Sequence, residues 1–210
     1  MQQAYKTLRG LIRSNPLALT SVTDPKLLSF INNHLPYSTG IEWECMNKDK
    51  YSSCYELSNK IRTIPGVMDV DIESTEKRVR IPSGLQGMIC LYKVSEVLQD
   101  TCALNIQSGI HYHIDMTDVD WKKVTEDDTE WILKSLDKWG YTGHYNSRRV
   151  SFCKDWVKLH AMYKTMEIRI GEMTFDYSLL MKRIINCQNI VRLYKSKIKT
   201  KVAVREKNPW

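Results

Sequence analysis

The sequence predicts an α+β fold, a mainly antiparallel sheet with flanking helices. Short runs that alternate apolar and polar residues, such as Gly40-Ile41-Glu42-Trp43-Glu44-Cys45-Met46, recur along the chain with turn-like joints between them, as antiparallel strands do. Other stretches space apolar residues three and four apart, the mark of helices with one buried stripe. With 210 residues, 42% of them hydrophobic, six Trp and eleven Tyr, the chain can bury a real core, so most of it is expected to be ordered.

The elements follow in order. Tyr5, Leu8, Leu11 and Ile12 have helical spacing, and Asp24-Pro25-Lys26 supplies a capping carboxylate and a first-turn proline for a helix through Phe30 and Ile31 that ends before Pro36. The alternating run 40–46 is a half-buried strand with Ile41, Trp43 and Cys45 inward and both glutamates on the other face. A short helix over 54–61 leads to strands 67–72 and 77–81, joined as a hairpin by Glu73-Ser74-Thr75-Glu76. After Pro82-Ser83-Gly84, the set Leu85, Met88, Ile89, Tyr92, Val94, Val97 and Leu98 is helical; 105–116 reads as a strand and 126–138 as a helix. Gly140, Gly143 and Asn146 mark a loop, 152–160 and 165–170 two more strands, and a long helix starts near Asp176. No internal repeat or low-complexity linker divides the chain.

The sequence carries no run near the roughly 18 apolar residues of a membrane helix and no signal-peptide core, so a soluble, intracellular protein is expected. Its six cysteines are scattered without a C-x-x-C pair, which favours free thiols over disulfides or a zinc–cysteine site. The net charge of +7 owes much to the C-terminal Lys195, Lys197, Lys199, Lys201, Arg205 and Lys207. Such a segment contacts an anionic partner or is simply a solvated helix end.

Three segments place chemistry-bearing side chains two positions apart: Glu42-Trp43-Glu44, His111-Tyr112-His113-Ile114-Asp115 and Glu167-Ile168-Arg169. Residues i and i+2 of a strand share a face, so strands laid side by side would line a trough with carboxylates and imidazoles. A short strand can present an E-x-E pair to solvent for no reason beyond solubility. The order of the three segments is more specific than any one of them.

In that order, Gly-Ile-Glu-x-Glu, Ser-Gly-Ile-His-x-His-x-Asp and Thr-x-Glu-Ile-Arg, the chain resembles the amidoligase family, relatives of glutamine synthetase and the glutamate–cysteine ligases. The likeness runs from about Gly40 to Tyr194, and its wording is also similar to amidoligase-like proteins encoded by bacteriophages. It implies a glutamine synthetase catalytic-domain-like sheet over 39–194, preceded by a helical segment over 1–38 and followed by a basic tail over 195–210. The implied activity is ATP- and Mg²⁺-dependent joining of a carboxylate to an amine through an acyl-phosphate. Small-molecule or peptide substrates, no nucleic acid or membrane partner, and a cytoplasmic location in a bacterial host are implied as well. Oligomeric state stays open.

On the same resemblance, Glu42, Glu44, His111 and Glu167 would hold metal, and Arg169 and His113 would be catalytic; by their charge, Arg148, Arg149 and Lys154 are either contacts to the nucleotide's anionic groups or plain surface charge. One position departs from the pattern. The family places a further metal-binding glutamate on the strand before the Pro-Ser-Gly turn, where this chain has Arg78; Glu76 replaces it only if the register shifts. The chain is then either a minimal ligase or a catalytically inactive amidoligase-fold binding or assembly protein. A third reading takes Ile110-His111-Tyr112-His113-Ile114 as the hydrophobic-His-hydrophobic-His-hydrophobic pattern, which resembles replication-initiator and relaxase nucleases. It would make Tyr177 the nucleophile of a metal-dependent single-stranded DNA nickase, with Lys182 and Arg183 nearby.

Overall fold

A computed structural model describes residues 2–49, 53–104, 109–137 and 157–207. Its architecture is α+β: a six-stranded, wholly antiparallel sheet in the order β3-β4-β1-β6-β8-β7, with helices packed against one face. The strands are β1 (Thr39–Glu44), β3 (Asp69–Ile72), β4 (Glu76–Ile81), β6 (Gly109–Asp115), β7 (Val157–His160) and β8 (Thr165–Glu172). A small second ladder pairs β2 (Met46–Asn47) with β5 (Cys102–Ala103). The helices are α1 (Gln2–Ser14), α2 (Pro25–His34), α3 (Cys54–Arg62), α4 (Gly84–Thr101), α5 (Glu126–Asp137) and α6 (Tyr177–Lys207).

Local chemistry explains most boundaries. Asp24 caps α2 by accepting a hydrogen bond from the Lys26 amide at 3.0 Å, with Pro25 in the first turn. Asp176 caps α6 in the same way through the Leu179 amide at 2.6 Å. The predicted hairpin forms between β3 and β4, closed by the Glu73 amide on the Glu76 carbonyl at 2.8 Å. Beneath it, Lys77 points inward from β4 and is fully buried, its ammonium spent on the Glu73 and Ser74 carbonyls. Gly87 has a packing reason: a Cβ there would stand 2.0 Å from the Pro82 carbonyl oxygen.

Apart from the buried Lys77 and Thr39, the inward face of the sheet is apolar. Ile41, Trp43, Val79, Ile81, Ile110, Tyr112, Ile114, Val157, Met166 and Ile168 join Met88, Leu91, Val94 and Leu98 of α4 and Leu180, Ile184, Cys187 and Val191 of α6 in one buried cluster. Leu8 and Ile12 of α1 and Leu27, Phe30 and Ile31 of α2 belong to it too, so the N-terminal helical segment shares the core of the sheet. Gln188 of α6 ties that segment to β1 through the Tyr37 backbone and the Thr39 hydroxyl.

The basic stretch that starts at Lys195 continues α6 without a break. Lys195 and Lys197 are ion-paired with Asp118 and Asp128 at 2.5 and 3.1 Å, so at its beginning the stretch is docked helix and not a solvated tail. No described helix is long and apolar enough to cross a membrane. Cys45, Cys54, Cys90, Cys102 and Cys187 are free thiols, as the sequence led us to expect.

Trp43 anchors this core. It is fully buried at the centre of the sheet, and its indole nitrogen donates to the Thr174 carbonyl at 3.2 Å. Trp43→Ala removes that packing and leaves a cavity, so the folded state should lose about 3–5 kcal/mol. Urea unfolding checks this, with the midpoint moving while the denaturant slope stays constant.

Candidate functional site

With the apolar residues inward, strand alternation forces the polar set onto the opposite face. The register aligns one row across five strands: Asp71 on β3, Arg78 on β4, Glu42 on β1, His111 on β6 and Arg169 on β8. In a neighbouring row Gly40 faces His113, which in turn faces Glu167, and Glu167 faces Lys158. Gly40 leaves room for its neighbour, since a Cβ there would meet the His113 Cβ at 3.2 Å. All three sequence-predicted segments therefore meet on one face.

At the centre sits His111, whose side chain is only 4% exposed. Its Nδ1 lies 2.9 Å from Glu42 Oε1 and 3.5 Å from Glu167 Oε1, and its Nε2 lies 3.2 Å from Glu44 Oε1. Burial works against a charged ring, but hydrogen bonds to Glu42 and Glu44 outweigh burial and the opposing Arg169, and push the pKa up to about 9. At neutral pH His111 is therefore an imidazolium with both nitrogens donating.

The carboxylates respond in kind. Burial alone would raise Glu42, yet hydrogen bonds from His111, His113 and Arg78 hold it far below the usual carboxylate range. For Glu44 the His111 hydrogen bond is the largest influence and lowers its pKa against burial, helped by the Gly109 amide, which donates to Oε2 at 2.6 Å. Glu167 is buried, which raises its pKa, but the His160 hydrogen bond and the charges of His113 and Arg169 bring it down.

Glu167 divides its two oxygens. Oε1 accepts from Arg169 Nε at 2.5 Å, and Oε2 lies 2.6 Å from His160 Nε2. His160, at the end of β7, was missed by sequence reasoning. Its signal was present in the alternation Val157-Lys158-Leu159-His160, which puts it on the charged face, and in the short turn before Thr165, which sets it diagonal to Glu167. Among the described residues, His113, His160 and Glu167 are the group whose ligand atoms, one from each, all lie within 4.8 Å of one another. The expected ligands Glu42, Glu44, His111 and Glu167 converge differently: the carboxylates surround the imidazole and are spaced apart by it.

Arg78 stands directly opposite Glu42, as the unshifted register requires. Its guanidinium binds Glu42 at 3.1 Å, Asp71 at 3.0 Å, Glu73 at 2.9 Å, and Glu76. Glu76 faces Glu44 across the strands and is bound to Arg78. Asp115 lies further along β6 and accepts from the Thr117 amide instead. Arg148, Arg149 and Lys154 fall outside the described residues.

Tyr177 does not meet the histidines. It begins α6 on the apolar side, is 7% exposed, and packs edge-on against Tyr92 at 5.3 Å between ring centroids. Burial pushes its phenol well above the ordinary range, the reverse of what a nucleophile needs. The nickase reading thereby loses its attacking group.

No protein-family model matches the chain, and no curated protein matches its sequence.

The charge arrangement has a pH signature in metal-free protein. His111 is raised from 6.5 to about 9, so its contribution to stability is complete below pH 6.5 and is lost as pH rises through 9. The glutamates are lowered from 4.5, so theirs is complete above pH 4.5 and is lost as pH falls below it. Thermal unfolding in chelator should show greatest stability between these limits, and His111→Asn should flatten the alkaline limb. A wild-type melting temperature that is constant between pH 6.5 and 9 would refute the imidazolium assignment.

Proposed function

We propose that this protein is an ATP- and Mg²⁺-dependent carboxylate–amine ligase of the amidoligase type, on a sheet like that of the glutamine synthetase catalytic domain. The observation that carries the reading is the convergence of Glu42, Glu44 and Glu167 on the buried His111, with Arg169 directly opposite His111 in the same row. The resemblance assigns these residues to one centre, and separate segments of the chain bring them together.

The donor set fits one hard cation. Three lowered carboxylates already enclose a positive charge, the His111 imidazolium, and oxygen ligands of this kind suit Mg²⁺. It does not fit a second ion beside Glu42, because the Arg78 guanidinium fills that flank. Bound there, Mg²⁺ would neutralise nucleotide phosphates and polarise the transferring phosphoryl group.

The protein's own groups divide the remaining work. Glu167 fixes Arg169 through Nε, so the guanidinium is held in place while its outer nitrogens can form paired hydrogen bonds with a phosphoryl or carboxylate oxygen. His113, partly exposed and 3.7 Å from Glu42 Oε2, sits beside that position and can donate to an anionic substrate. His111 must release its proton for the carboxylates to serve a metal, so cation binding releases a proton.

Saturating Mg²⁺-ATP, at about 100 times its dissociation constant, should stabilise the protein by about 2.7 kcal/mol, a rise of about 5–10 °C in melting temperature for a chain this size. Glu42→Ala and Glu167→Ala should abolish the rise. Absence of any nucleotide-dependent shift in the wild type would overturn the ligase reading. Arg78→Gln supplies a second test: freeing the Glu42 flank of a guanidinium should tighten Mg²⁺ binding by about tenfold, in line with about 1.4 kcal/mol for one removed like-charge neighbour. Isothermal titration reads that change.

A further inference from the structure

We propose that His113, His160 and Glu167 form a site for a divalent transition ion of the zinc class, adjoining the proposed Mg²⁺ centre. The inference does not depend on the ligase reading, although Glu167 and His113 serve in both. Each ligand comes from a different strand, β6, β7 and β8, and one ligand atom from each lies within 4.8 Å of the other two. Around a tetrahedral ion with bonds of about 2.1 Å, ligand atoms stand about 3.4 Å apart, so the His160–Glu167 pair, now at 2.6 Å, opens to admit the ion as His113 closes on it.

The side chains are placed for that closure. The two imidazoles are 27% and 30% exposed, so their rings can turn, whereas Glu167 is 3% exposed and fixed. The rings lie nearly parallel, 29° apart with centroids at 6.1 Å, on either side of the Glu167 strand. Arg169 Nε on Oε1 orients the carboxylate so that Oε2 faces His160 at 2.6 Å, the kind of outer contact that steadies a metal-binding carboxylate.

Donor chemistry decides the ion. Two neutral imidazoles and one carboxylate suit Zn²⁺, Co²⁺ or Ni²⁺, while Mg²⁺ prefers oxygen alone. Three protein ligands leave a fourth position for water; Glu42 Oε2, 3.7 Å from His113 Nε2, is engaged by Arg78. An ion here would also fasten the edge strand β7 to β6 across β8.

The test uses untagged full-length protein stripped with chelator and then titrated with Co²⁺ and Zn²⁺ without nucleotide. We expect one ion per chain and a visible Co²⁺ band of tetrahedral intensity displaced by Zn²⁺. His160→Ala and His113→Ala should each weaken Zn²⁺ binding at least about a hundredfold, while Lys134→Ala, an exposed residue of α5, should leave it unchanged. A wild type without the Co²⁺ band, or a folded His160→Ala that binds Zn²⁺ as tightly as wild type, would overturn the proposal. The wild-type spectrum decides the matter even if a variant fails to fold. Nucleotide-dependent stabilisation is read separately: zinc binding without it leaves this site standing and removes the ligase reading, and the reverse result does the opposite.

Discussion

Three carboxylates drawn together on a sheet repel one another, by about 4 kcal/mol for a pair at 4 Å in a partly desolvated setting with an effective dielectric of about 20, unless positive charge stands between them. His111 supplies that charge. Its ring reaches Glu42 and Glu167 through one nitrogen and Glu44 through the other, so a single side chain from β6 holds carboxylates from β1 and β8. The two strands that flank β6 are thus joined on the polar face by electrostatics as well as by their backbone ladders.

The same alternation of sign extends sideways. Along the row from β3 to β8 the charges run Asp71, Arg78, Glu42, His111, Arg169: negative, positive, negative, positive, positive. The one like-charge neighbour, His111 beside Arg169, is relieved by Glu167, which accepts from Arg169 and lies 3.5 Å from His111. Opposite charges directly across strands stabilise a sheet, and a slip of one residue would drive the whole row into the apolar core. The site and the register therefore specify each other, and Arg78 is part of that pattern as much as a departure from a ligand set.

Much of this was legible in the sequence because strand alternation leaves a plain trace. Ile41 and Trp43 against Glu42 and Glu44 gave both the strand and its two faces, and Asp24-Pro25 and Asp176 marked helix starts through local hydrogen bonds. The less legible features depend on contacts between distant segments. Nothing local to β4 tells that Arg78 would bind Glu42, 36 residues earlier, together with three further acids. Nothing in the basic run tells that Lys195 would reach back 77 residues to Asp118. His160 lay between these extremes, visible as a strand residue but without meaning until the hairpin register set it beside Glu167.

Glu167 is where the two proposed cation sites meet, and its geometry dictates how they interact. A carboxylate can bridge two ions, as in two-metal centres, but here Oε1 is already engaged by the Arg169 guanidinium. A zinc-class ion taking Oε2 would draw electron density from the whole carboxylate and weaken what Oε1 offers to the His111 side. An ion on the His111 side would in turn pull Glu167 away from His160. Because coupling between binding equilibria is reciprocal, each ion weakens the other by the same factor. If both ions bind as proposed, the two sites are mutually antagonistic, and the relative supply of the two metals would set which of them this face of the sheet holds.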